Sequence, residues 1–120
     1  MSVRRPRPTD LATFRDALSD GWSINTSSRW SADNPALGQC GVTALVANDH
    51  FGGTILKTRI PDGWHFYNRI DGERYDFTES QFPAAIHYDD ELSNRDEAFA
   101  DTNASQYSVL SEAVRRYIRS

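Results

Sequence analysis

Apolar residues return at helical spacing from Thr9 to Gly21. Leu11, Phe14, Leu18 and Trp22 fall on one face, Thr9 or Asp10 supplies a cap, and Gly21 stops the run. Ser, Asn and Asp then dominate from Ser23 to Gly38, which reads as a loop. A connection this long in a small domain tends to carry function, and this one runs straight into Cys40. The apolar run Ala44-Leu45-Val46-Ala47 predicts a buried helix from Cys40 to His50, stopped by Gly52-Gly53. The pattern then shortens to strands. Thr54–Ile60 and Trp64–Ile70 are separated by a Pro61-Asp62-Gly63 turn, and Asp71-Gly72 leads into Glu73–Thr78.

Past Thr78 the pattern weakens. Thr78 and Gln81 resemble a capping box, but Pro83 limits any helix there to a short one. Residues 86–103 are polar, with a turn of helix expected at Arg95–Ala100. From Ser105, Tyr107, Leu110, Val114, Tyr117 and Ile118 share one face and predict an amphipathic terminal helix. The expected architecture is an α+β single domain over 9–120, preceded by a flexible lead over 1–8. A helix bearing Cys40 lies against a small antiparallel sheet, and the terminal helices cover other surfaces.

The Asp71-Gly72 turn fixes a register. Ile70 pairs with Glu73, so Tyr67 falls opposite Asp76 and His65 opposite Thr78. His65 and Asp76 become diagonal neighbours on one face, roughly 7–8 Å apart at Cα. That face carries His65, Tyr67, Arg69, Arg74, Asp76 and Thr78. The other carries Trp64, Phe66, Ile70, Tyr75 and Phe77 and reads as core, with Asn68 as a hydrogen-bonder there.

Composition narrows the class. The chain has 120 residues, a net charge of −4 and one cysteine. A single cysteine forms no internal disulfide and suits a reducing compartment. No stretch reaches the roughly 18 apolar residues of a membrane span. The basic segment Arg4–Arg7 has no apolar run after it, so it does not read as a secretory signal. The cytoplasm is the expected location. Acids and bases are interspersed, and the only basic clusters, Arg4–Arg7 and Arg115-Arg116 with Arg119, lie at the two ends, so no nucleic-acid partner is expected.

Cys40 at a helix start sees unpaired backbone N–H groups and the positive end of the helix dipole, which favour thiolate. His65 supplies a base and Asp76 an orienting carboxylate, completing a thiol acyl-transfer set. Gln39 is a candidate oxyanion donor beside the Cys40 N–H, and Trp30 and Tyr67 are candidate cleft walls. Each residue also has a plainer role. Cys40 serves as a small core hydrophobe, His65 as a structural hydrogen-bonder, and Asp76 as a partner of Arg74 or Arg69. His50 and His87 read as structural or exposed. A metal site from Cys40, His65, Asp76 and His87 lacks any close-spaced ligand pair, so neither metal nor cofactor is expected.

The segments Gly38–Val46, Phe51–Gly53, His65–Gly72 and Tyr75–Phe82 resemble the YunG-like proteins, a small bacterial family. The order Cys, His, Asp is also similar to the papain-like and transglutaminase-like superfamily. That second likeness implies a papain-like core and a cysteine-dependent amide hydrolase or acyl-transfer enzyme: an amidase, a deamidase or a small peptidase. The expected substrate is a small amide or a peptide side chain, since little chain remains for an extended groove. The alternative is a non-catalytic binding module with Cys40 buried and inert. Oligomeric state is not legible in these residues.

Overall fold

A computed structural model describes residues 7–119; most of the expected lead over 1–8 lies outside them. Helix α1 (Pro8–Gly21) starts earlier than expected. Arg7 is its N-cap, and the Asp10 carboxylate accepts from the Arg7 backbone N–H at 3.2 Å. Neither Thr9 nor Asp10 is the cap, because proline opens the first turn well and moves the start upstream. The elements that follow are α2 (Cys40–Phe51), β1 (Thr54–Ile60), β2 (Gly63–Ile70), β3 (Glu73–Tyr75), β4 (Glu91–Leu92), α3 (Arg95–Ala100) and α4 (Ala104–Arg119), with a single 3₁₀ turn at Glu79–Gln81. The fold is α+β, with a four-stranded antiparallel sheet in the order β3-β2-β1-β4 among the described residues.

The hairpin register follows the turn. Ile70 pairs with Glu73, Arg69 with Arg74 and Asn68 with Tyr75. The ladder then stops, so β3 has three residues, not six, and neither Asp76 nor Thr78 is a strand residue. Its early end leaves the side of β2 beyond Asn68 free of a strand partner, and the Cys40 sulfur meets the Phe66 backbone N–H there.

Both faces of β2 are covered, contrary to the expected open polar face. One face packs on α2: Phe66 joins Ala44 and Leu45 in a buried cluster, and the Asn68 amide donates to the Ala44 carbonyl at 3.1 Å. The other face is roofed by the chain from Phe82 to Asp90. Phe82 packs edge-on to His65 at 4.8 Å, and Tyr88 packs edge-on to Tyr67 at 4.9 Å. This segment carries aromatics at irregular spacing, so no periodicity announces it as a layer. Its end forms β4, a short edge strand that the sequence pattern does not predict.

Helix α2 is buried from Cys40 to Ala47. Gly41 marks its closest approach to α3, since a Cβ there would lie 2.6 Å from the Asp101 carboxylate and 2.8 Å from the Ala98 carbonyl. Gly53, at φ +78, passes so close to β2 that a Cβ would overlap the Arg69 carbonyl. A second core joins α1, α2 and α4 through Phe14, Leu18, Val46, Leu110 and Val114. The outer end of α4 leaves that core, with Tyr117 and Ile118 exposed. The Thr78–Gln81 capping box does not form; the Gln81 amide donates to the Thr78 hydroxyl instead, at 3.0 Å.

Candidate active site

His65 is fully buried, with Nε2 2.7 Å from Asp76 Oδ2. The carboxylate also accepts the Thr78 backbone N–H and hydroxyl at Oδ1 and the Tyr88 hydroxyl at Oδ2. Four donors surround Asp76, so it acts as an acceptor only, and the proton on the ring is assigned to Nε2. Nδ1 keeps its lone pair and has no hydrogen-bond partner. A buried polar atom left unpaired costs about 1–3 kcal/mol, and a catalytic role is one reason for retaining such a cost. Tyr67 stacks on the imidazole at 5.9 Å with 23° between planes, while its hydroxyl donates to Asp90 at 2.9 Å. Tyr67 therefore fixes the ring from behind and is not a cleft wall.

His65 and Cys40 line the same cavity, of about 150 Å³. Trp64 lines it as well, although its pattern reads as core. Its ring is flanked by Lys57 and Arg59, each 4.4 Å from the centroid. The long loop contributes Ser27, Ser28 and Arg29, but Trp30 turns away and packs on the helical core. Arg29 faces Asp62 at 3.8 Å, both exposed.

The surroundings of Cys40 oppose the expected thiolate. Cys40 Sγ donates to Asp101 Oδ2 at 3.4 Å, and that oxygen also accepts the Gly41 backbone N–H at 3.1 Å. Burial, then the Asp101 charge, push the thiol well above its ordinary value, against a smaller opposing pull from the Phe66 N–H. Burial also raises the Asp101 carboxyl, although the Cys40 and Gly41 donors oppose it. The dipole and free N–H at the start of α2 are thus spent on a carboxylate, not on sulfur. Asp101 ends α3 and caps α2 from 60 residues away in sequence. One signal in the sequence points to it: α2 begins after Gln39, which makes no side-chain cap, so its first N–H groups need an acceptor from elsewhere.

Gln39 is not an oxyanion donor here. Its side chain is buried and its amide donates to the Pro35 carbonyl at 3.3 Å. His87 is exposed and pairs with Asp89 at 3.2 Å, so the four residues of the metal alternative do not converge. Arg74 binds Asp90 through two bonds of 2.8 and 2.7 Å, which leaves Asp76 to His65.

A buried thiol at a helix start, an imidazole with one nitrogen held by a carboxylate, and a cavity touching both define a candidate thiol-nucleophile site. The YunG family, described as YunG protein, matches residues 10–119, and the chain belongs to that family. It is 55% identical over 103 residues to the uncharacterized protein YunG of Bacillus subtilis (strain 168), covering 86% of this chain and 90% of that one. No solved structure matches the chain. No helix among the described residues is long and apolar enough to cross a membrane.

Proposed function

We propose that the protein is a cysteine-dependent hydrolase or acyl-transfer enzyme of papain-like type, acting on an amide-type carbon–nitrogen bond of a small substrate. One observation carries this reading. The lone pair of His65 Nδ1 is buried and unpaired in a ring that lines the cavity with Cys40, while Nε2 is held by Asp76. His65 takes the thiol proton as sulfur attacks, then delivers it to the departing nitrogen. Water, deprotonated by the same ring, releases the covalent intermediate. Asp76 holds the tautomer throughout. The cavity, of about 150 Å³, suits a small group.

The test is alkylation of Cys40 by iodoacetamide at pH 7, followed by intact mass. General-base help contributes on the order of 10²-fold. His65→Ala is therefore expected to slow labelling by about that factor, and Cys40→Ser to abolish it. Hydrolysis of small amides should fall with both variants. Equal labelling with and without the imidazole, and turnover intact in both variants, would sink the proposal.

A second reading is a binding module with an inert Cys40. The burial of the sulfur and its bond to Asp101 favour it. It expects labelling that rises only above pH 8.5 and ignores His65.

A further inference from the structure

Amide attack builds an oxyanion near the sulfur, and several donors around Cys40 point to other acceptors. The Gly41 N–H and the thiol both go to Asp101, the Gln39 amide to Pro35, and the Gln81 amide to Thr78. A carboxylate oxygen lies 3.4 Å from the sulfur, close to where charge would develop on an attacked carbonyl. It would repel that charge. The same oxygen would attract a planar nitrogen cation.

We propose that the carbon attacked at this site belongs to an amidinium or guanidinium group anchored on Asp101. This rests on the thiol-nucleophile reading and names its substrate class. A nitrogen bonded to Asp101 Oδ2 brings its carbon into contact range of Sγ, since the two anchor atoms are 3.4 Å apart. Asp62, on the same cavity wall, adds a second acid, shared with Arg29. The unpaired, fully buried His65 Nδ1 supplies the base.

The steps balance. Sulfur bonds to the cationic carbon as its proton passes to Nδ1, giving a neutral tetrahedral adduct and an imidazolium. The C–N bond breaks, and the imidazolium proton leaves with ammonia or an amine. The S-linked thioimidate or thiouronium keeps the positive charge. Water then adds with its proton going to His65, the C–S bond breaks, and the sulfur is reprotonated. The products are an amide or urea, and ammonium or the alkylammonium of the departing amine. No oxyanion forms before the first C–N bond breaks.

Two small alkylating reagents separate the charges: 2-chloroacetamidine, which is cationic, and neutral 2-chloroacetamide. Their rates on Cys40 of the full chain are compared with those on N-acetylcysteine. The expected result is a preference for the amidine at least about 10-fold above the free-thiol ratio, reduced to that ratio in Asp101→Asn. Guanidinium at low millimolar concentration should protect Cys40 of the unaltered protein, while urea and sodium chloride at matched levels should not. This arm is independent of whether the variant folds. A free-thiol ratio, a ratio unchanged in Asp101→Asn, or equal protection by urea overturns the assignment. If the neutral reagent is preferred and labelling still depends on His65, only the substrate class falls. If neither reagent outpaces the free thiol and His65→Ala changes nothing, the thiol-nucleophile reading falls with it.

Discussion

The Tyr88 hydroxyl donates to Asp76 Oδ2 at 2.7 Å, the same oxygen that holds His65 Nε2. The roof over the sheet is thus tied directly to the acid that orients the imidazole. Hydrogen bonds to charged groups contribute about 1.5–3 kcal/mol. Tyr88→Phe is expected to cost about that much in urea unfolding. It should also weaken His65-assisted labelling of Cys40 severalfold, as the carboxylate loses one of its restraints. A variant with unchanged labelling would confine Tyr88 to packing.

Asp76 itself is the stronger test of the buried pair. Both side chains are almost wholly enclosed, and leaving a buried hydrogen-bonding group without its partner costs about 1–3 kcal/mol. Asp76→Ala should reach that range by denaturant midpoint and remove most of the imidazole's assistance to Cys40. A loss below about 1 kcal/mol would contradict the tight enclosure.

Gly41 is required by space alone. The Cβ of Gly41→Ala would lie 2.6 Å from the Asp101 carboxylate and 2.8 Å from the Ala98 carbonyl, well inside van der Waals contact. Overpacking of this kind costs typically about 1–3 kcal/mol. Thermal unfolding should show the loss, and Cys40 labelling should change with it because Asp101 must shift.

Asp101→Asn tests the charge beside the sulfur. Removing it should move the rise of Cys40 alkylation to lower pH, because the carboxylate is one of the causes that hold the thiol high. Stability provides a second readout. Burial raises the Asp101 carboxyl above its ordinary value. An acid raised by folding stabilises below that value and loses the contribution as pH climbs through the window just above it. The variant should flatten that decline, measured as unfolding free energy against pH from about 3 to 7.

Local patterns carried much of this fold. The boundaries of β1 and α3 and the start of α2 follow from periodicity and glycine stops. The Asp71-Gly72 turn set the pairing of Ile70 with Glu73; His65 meets Asp76 as expected, but past the end of the ladder and not through the expected pairing of Tyr67 with Asp76. What local patterns missed lies in contacts without a period. Tyr88 and Phe82 sit in an irregular segment, so their role as a roof depended on the tertiary path. Asp101 reaches Cys40 only because α3 docks at Gly41. Trp30 and Gln39 were misplaced for a related reason. Adjacency along the chain to a nucleophile does not decide which way a side chain turns, and both turned toward other partners.

The imidazole rides on an inner strand and the sulfur on a helix enclosed along most of its length. Neither has room to adjust. The cavity rim, by contrast, is drawn from connecting segments that bear Arg29 and Asp62. The candidate sulfur–imidazole pair and the outer rim of the cavity therefore occupy separable parts of the chain. New preferences could be explored at the rim by exchanging a few surface residues, without disturbing the reactive centre.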